Sequence, residues 1–196
     1  MAQYMNYYKF PKHGMGEESV TVKYDQGDVI LHVDFEQATY DWDNMIDNYE
    51  GEYTYEQGQA VAQLCYHCGV AAQTTWNSLG GGTNDQRIVE AFTKHFNYND
   101  TAHYIPRTRY DEPTWMEMMY GMLSSGNPIL YSAKDINLNE GILVGHNFII
   151  DDLSELIDIL LTGNYVGNAN ADVNTDSQVN IEDLSTLIDY LLTGHW

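Results

Sequence analysis

The chain has 196 residues and a mass of 22.4 kDa, and its 29 acidic and eight basic side chains give a formal charge of −21 at pH 7. With 43% hydrophobic and 13% aromatic residues it has enough apolar surface for a core, which excludes wholesale disorder. So acidic a surface disfavours binding to nucleic acid or anionic lipid, and the apolar runs are too short for membrane insertion.

The first elements predicted are a helix and a hairpin. Met1–Tyr8 has helical spacing and is closed by a proline and a glycine a few residues later. Ser19–Tyr24 and Val29–Phe35 alternate as strands do, and the Gln26-Gly27-Asp28 turn between them predicts a β-hairpin.

The middle of the chain predicts further helices, a loop and two buried strands. The predicted helices are Trp42–Tyr49, Gln57–Cys68 (ending at Gly69), Asp85–Phe96 and Trp115–Ser124. Gly80-Gly81-Gly82 predicts a loop, and Pro128–Ser132 and Val144–Ile150 predict strands. Residues 1–150 therefore read as a mixed α and β domain.

One predicted helix contains a Cys-x-x-Cys pair, Cys65 and Cys68, with His67 between them. Such a pair is compatible with packing, with a thiol–disulfide couple or with part of a metal site. Zinc needs two more ligands at compatible spacing, which favours structural packing.

The composition changes near residue 150. Residues 151–196 hold nine acidic side chains and no Lys or Arg, whereas residues 1–150 hold the other 20 acidic and all eight basic ones. This change predicts two modules, 1–150 and 151–196.

The second module is an internal repeat. Asp151–Asn164 and Glu182–His195 are offset by 31 residues and are identical at 10 of 14 positions. Both copies place Leu or Ile at i, i+3, i+4, i+7 and i+8 and end at a glycine, Gly163 or Gly194. The repeat therefore predicts two short amphipathic helices that pack on each other.

A calcium loop is predicted just before the second helix. Oxygen-bearing side chains occupy loop positions 1, 3, 5, 9 and 12, and position 7 can add a backbone carbonyl. The six residues are Asp172, Asn174, Asp176, Gln178, Asn180 and Asp183. Ser177 replaces the usual glycine and Asp183 replaces a glutamate. The alternative is an acidic turn that caps the helix.

The loop and the repeated helices resemble a type I dockerin over residues 151–196. The resemblance implies an all-α module, one bound Ca²⁺, a secreted or cell-surface location and a cohesin-like scaffold as partner. The first copy departs from the pattern, since Gly145, His146, Phe148 and Ile149 stand in its loop. One calcium site is therefore expected, and two-sided docking is not.

Residues 1–148 resemble the streptopain family of papain-like cysteine peptidases. The motifs that carry the resemblance appear in the family's order: Met1-Ala-Gln-Tyr-Met-Asn-Tyr-Tyr-Lys-Phe-Pro11, Tyr40-Asp-Trp-Asp-Asn-Met45, Ala60-Val-Ala-Gln-Leu64, Cys68-Gly-Val-Ala71, Phe96-Asn-Tyr98, Trp115, Pro128-Ile-Leu-Tyr131 and Gly145-His-Asn-Phe148. The implied fold class is α+β, a partial papain-like domain followed by the dockerin-like module.

The resemblance implies cysteine-type endopeptidase chemistry on protein or peptide substrates. His146 matches the catalytic histidine, which accepts and delivers the proton of a thiol nucleophile. The family's nucleophile lies in a Gly-Cys-Val-Ala-Thr-Ala segment directly before the first helix, and the sequence contains no such segment. We therefore expect these 196 residues to be inactive. The alternative is a non-catalytic, calcium-binding anchoring or interaction protein of a secreted complex.

Overall fold

The computed structural model describes residues 1–24, 27–77, 80–137 and 142–151. The chain divides into two compact units, Met1–Pro106 and Arg107–Trp196. The repeated helices and the calcium loop lie outside the described residues. The predicted division into modules 1–150 and 151–196 therefore stays a prediction.

The first unit is organised around its longest helix, α2 (Tyr55–Ala71), which contacts α1 (Ala2–Tyr8) and α3 (Asp85–His95). A capping box starts α2: the Thr54 hydroxyl accepts from the Gln57 backbone, and the Gln57 side chain accepts from the Thr54 backbone. The core around these helices is apolar, with Met5, Phe35, Leu64, Val70 and Phe96 almost fully buried.

Two antiparallel strand pairs complete this unit. β1 (Glu17–Tyr24) pairs with β2 (Gly27–Asp34), as the hairpin prediction required, although Gly27 and Asp28 already belong to the second strand. The buried Val22 and Val33 attach this hairpin to the core. The second pair is short, β3 (Thr75–Asn77) with β4 (Gly80–Gly82).

The helix predicted over Trp42–Tyr49 is wrong, since only Trp42–Asn44 forms a single 3₁₀ turn. In this segment side chains form hydrogen bonds with backbone groups, and such bonds compete with those of a helix. The Trp42 indole donates to the Pro11 carbonyl at 2.9 Å, and the Tyr49 hydroxyl accepts from the Ile46 backbone at 3.2 Å.

Two glycine-based predictions are also wrong, for a shared reason. Gly69 does not end α2, which continues to Ala71, and Gly80–Gly82 is a strand rather than a loop. A Cβ at Gly69 would lie 2.5 Å from the Trp76 ring, and one at Gly81 would lie 3.1 Å from it. Both glycines therefore make room for an indole.

The described part of the second unit is a helix on a hairpin. A 3₁₀ turn (Arg107–Arg109) precedes α4 (Glu112–Ser124), which begins three residues before the predicted start because Asp111 caps it. β5 (Ile129–Asn137) and β6 (Ile142–Ile150) pair antiparallel and extend the predicted strands. No helix in the described ranges is both long and apolar enough to cross a membrane.

Candidate active site

The predicted catalytic histidine lies within β6. His146 is the fifth residue of this strand, and its Cα is paired with that of Ala133 in β5. The predicted strand placement is therefore confirmed. Two and four residues further toward the open end of the hairpin, Tyr131 pairs with Phe148 and Ile129 pairs with Ile150.

The hairpin is supported by α4 on the side where those pairs lie. Ile150 is 1% exposed and forms one buried cluster with Met119 and Leu123 of α4. The Tyr131 ring lies 5.4 Å from that of Phe148 and 6.4 Å from that of Trp115. These contacts hold the open end of the hairpin, two and four residues along β6 from position 146.

This support was not predicted from the sequence. Leu130 and Ile149 lie between the residues that provide it and are apolar too, so no alternation marks one face of either strand. A strand held this way is a rigid carrier for a functional side chain, since positions on sheets are more precise than positions on loops.

The two cysteines occupy different environments in α2. Cys68 is buried, its thiol donates to the Met5 sulfur at 3.7 Å, and burial raises its pKa to about 12. Cys65 is exposed as a residue, yet partial burial of its thiol also raises its pKa. A nucleophilic or redox-active thiol needs the opposite shift, because only the thiolate reacts.

His67, between the two cysteines, is committed to packing. Its Nδ1 lies 3.0 Å from the hydroxyl of the buried Tyr40, and burial lowers the pKa of its imidazole. It also makes an edge contact with Phe35 at 5.6 Å. These contacts agree with the interpretation of the Cys65–Cys68 segment as structural.

The predicted calcium ligands lie outside the described residues. They are Asp172, Asn174, Asp176, Gln178, Asn180 and Asp183. Within the described ranges, no group of three or more His, Cys, Asp or Glu side chains is arranged to hold a metal ion.

Comparison with known proteins identifies one family. The model of the peptidase C10 family matches residues 1–169. Streptopain from Streptococcus pyogenes serotype M28 is 25% identical over 154 residues, which are 76% of this chain and 37% of that protein. The streptopain of serotype M1 matches to the same extent.

Solved structures agree in fold. The active wild-type interpain A cysteine protease of Prevotella intermedia is 35% identical, with a TM-score of 0.70 over 76% of this chain and 61% of that one. A prointerpain A fragment from the same organism has the same identity and a TM-score of 0.66, and 46% of it is covered. The mixed helix and sheet fold is therefore that of a cysteine protease. The chain spans 37% of the length of the curated relatives above.

Proposed function

Since the chain belongs to the peptidase C10 family, we propose that it contributes the histidine side of a cysteine-endopeptidase active site. The observation that carries this proposal is the position of His146 in a strand whose neighbouring residues are held by α4. In this role the imidazole accepts the proton of a thiol and later delivers it to the leaving amine of a peptide. Protein or peptide chains are the proposed substrates.

Residues 1–196 alone are proposed to be inactive. Acyl transfer needs a reactive thiolate, and burial raises the pKa of both cysteines in the sequence. A histidine without a nucleophile gives little rate acceleration.

The test of inactivity is hydrolysis of casein and of fluorogenic peptides by the 196-residue protein. We expect no thiol-dependent turnover, and no labelling of either cysteine by an epoxide inhibitor of cysteine peptidases. Turnover that disappears in His146→Ala or in Cys65→Ser would contradict the proposal.

The role of His146 is tested by restoring a nucleophile. A version with Gly-Cys-Val-Ala-Thr-Ala fused directly before Met1 is alkylated with iodoacetamide at pH 6, where an ordinary thiol is almost fully protonated. We expect the added cysteine to react at least tenfold faster than a free cysteine, and to lose this advantage in His146→Ala but not in His103→Ala. His103 is an exposed loop histidine and serves as the matched control. Equal rates in the two variants would remove His146 from this role.

A second proposed function is calcium-dependent anchoring. Oxygen ligands at five regular loop positions, followed by a repeated helix, support a single Ca²⁺ site at Asp172–Asp183. By its resemblance to dockerins, this segment would bind a cohesin-like scaffold domain outside the cell.

Calorimetric titration distinguishes this function from an acidic turn. We expect about one Ca²⁺ bound per chain, lost in Asp172→Ala and retained in Asp189→Ala, which removes an acid from the second helix instead. Absence of binding heat in the unmodified protein, or equal loss in both variants, would refute the calcium site. Retention on an immobilised cohesin domain in calcium, and release by a chelator, would test the partner.

A further inference from the structure

His95 is the buried histidine of the first unit. It is the last residue of α3 and is 1% exposed. Its ring stacks on that of Phe35, with centroids 4.4 Å apart and an interplanar angle of 27°.

Its hydrogen bonds determine which ring nitrogen carries a proton. Nδ1 lies 3.1 Å from the backbone carbonyl oxygen of Met15. A carbonyl oxygen only accepts, so Nδ1 must donate. In return, the Met15 N–H donates to the His95 carbonyl at 2.9 Å. This pair of bonds ties the loop before β1 to the end of α3.

The other ring nitrogen faces a carboxylate. Nε2 lies 3.5 Å from Oε2 of Glu18 in β1, an ion-pair distance, and it has no hydrogen-bond partner among the described residues. The same Oε2 accepts from Lys94 Nζ at 2.6 Å. With Nδ1 protonated, a neutral ring presents a lone pair to this oxygen, and two acceptors repel. An imidazolium presents an N–H instead.

We propose that His95 and Glu18 form a proton-dependent latch that joins the end of α3 to β1. With a second proton on the ring, Nε2–H donates to Glu18 and the contact holds. Without this proton, the lone pair and the carboxylate repel, and the hairpin β1–β2 is held less firmly to α3. This regulation by pH is independent of the proposed peptidase role.

Two charged groups lie close to the His95 ring. Glu18 on β1 favours the imidazolium, and Lys94 on α3 opposes it; the loop before β1 presents the Met15 carbonyl. The hydrogen bond from Lys94, with a smaller contribution from His95, lowers the pKa of Glu18. Its carboxylate therefore stays ionised well into the acid range. Imidazole is the side chain that changes charge between about pH 5 and 8, so the two states of the latch are compared at pH 5.5 and pH 8.0.

His67 also contacts Phe35, and its effect on stability has the opposite dependence on pH. Burial lowers its pKa, so its contribution to the free energy of unfolding grows as the pH rises through the ordinary histidine range. The pH dependence of the free energy of unfolding of the unmodified protein therefore combines contributions from both histidines. The informative quantity is the difference between the protein and a variant changed only at Glu18.

The proposed test is urea unfolding at pH 5.5 and pH 8.0 of the protein and of Glu18→Gln. A glutamine amide donates to the neutral ring, so the variant needs no second proton. We expect the ratio of the folding equilibrium constants at pH 5.5 and 8.0 to be about tenfold larger in the protein than in Glu18→Gln. Lys94→Met should keep the large ratio, since it leaves the His95–Glu18 contact in place.

An equal ratio in the protein and Glu18→Gln would overturn the proposal, as would a small ratio in Lys94→Met. Nitrogen-15 NMR of the ring decides the matter even if a variant fails to fold. We expect Nδ1–H at pH 8.0 and protons on both nitrogens at pH 5.5. A ring protonated on Nε2 alone at pH 8.0 would refute the latch.

Discussion

Burial determines the reactivity of the two cysteines, and the consequence is measurable residue by residue. Cys68 is buried with a pKa of about 12, whereas Cys65 is exposed and its pKa is raised less far. At pH 8 we expect a disulfide reagent such as Ellman's to leave Cys68 unmodified in the folded protein, and to modify Cys65 slowly. In the Cys65→Ser variant Cys68 is the one remaining thiol of the sequence, and unfolding in urea should expose it to the reagent.

Rapid modification of Cys68 in folded Cys65→Ser would contradict this burial. Formation of a Cys65–Cys68 disulfide with a defined redox potential in the folded protein would revive the thiol–disulfide alternative.

Gly69 is required for space rather than for backbone conformation. A Cβ at this position would lie 2.5 Å from the Trp76 ring, so the ring or the helix must shift. We expect Gly69→Ala to lower the free energy of unfolding by about 1–3 kcal/mol, as overpacked sites do. Urea unfolding followed by tryptophan fluorescence measures it.

The matched control is Gly121→Ala in α4, where nothing lies within 4 Å of the added Cβ. Removing the conformational freedom of a helical glycine should raise stability there by about 0.5–1 kcal/mol. If Gly69→Ala and Gly121→Ala changed the free energy of unfolding in the same direction, the steric explanation would be contradicted.

At the scale of elements, helix starts in this protein depend on side-chain caps. α2, α3 and α4 each begin with a side chain that accepts from the backbone three residues later, at Thr54, Asn84 and Asp111. The Thr54 cap is reciprocal, since Gln57 accepts in turn from the Thr54 backbone. Two of the four orphan N–H groups of the first turn of α2 are satisfied this way.

We expect Thr54→Ala to destabilise the protein by about 1 kcal/mol and Thr54→Ser to be nearly neutral, because serine keeps the accepting hydroxyl. Hydrogen exchange of the amides in the first turn of α2 provides a local readout. If both variants exchanged as the unmodified protein does, the cap would contribute nothing.

Elements with clear periodicity were predictable from sequence, and elements shaped by distant partners were not. α3 and the β1–β2 hairpin follow from apolar spacing and a glycine turn. At Trp42–Tyr49 the indole of Trp42 bonds the carbonyl of Pro11, 31 residues away, and the Ile46 N–H bonds the Tyr49 hydroxyl; apolar spacing shows neither contact. The glycines around Trp76 resemble helix ends and loops in sequence, and only the indole packed against them shows otherwise.

The candidate site also has one part that could be predicted from the sequence and one part that could not. Position 146 in a strand could be predicted from its apolar neighbours, whereas the support from α4 depends on pairing between two strands and a helix. His95 could not be found at all, because neither its burial nor the nearby Glu18 leaves a local pattern. Sequence patterns report periodicity, and sites of this kind depend on contacts between distant elements.

For the whole molecule, the formal charge of −21 opposes compactness. Part of it is concentrated between residues 41 and 56, where six exposed acids occur without a lysine or arginine: Asp41, Asp43, Asp47, Glu50, Glu52 and Glu56. Repulsion among such groups extends over a Debye length, about 30 Å at 10 mM salt and about 8 Å at 150 mM. Stability should therefore depend on ionic strength more than it does in a balanced protein.

We expect the urea midpoint to rise when NaCl is increased from 10 to 150 mM, because screening relieves repulsion that is stronger in the compact state than in the unfolded chain. A chelator is present throughout, so that binding at the predicted calcium loop does not contribute. The double variant Glu50→Gln, Glu52→Gln removes two charges with little change in shape, and it should stabilise the protein more at 10 mM than at 150 mM. A midpoint that falls with salt in the unmodified protein would mean that favourable pairs such as Lys94–Glu18 outweigh the excess of acids.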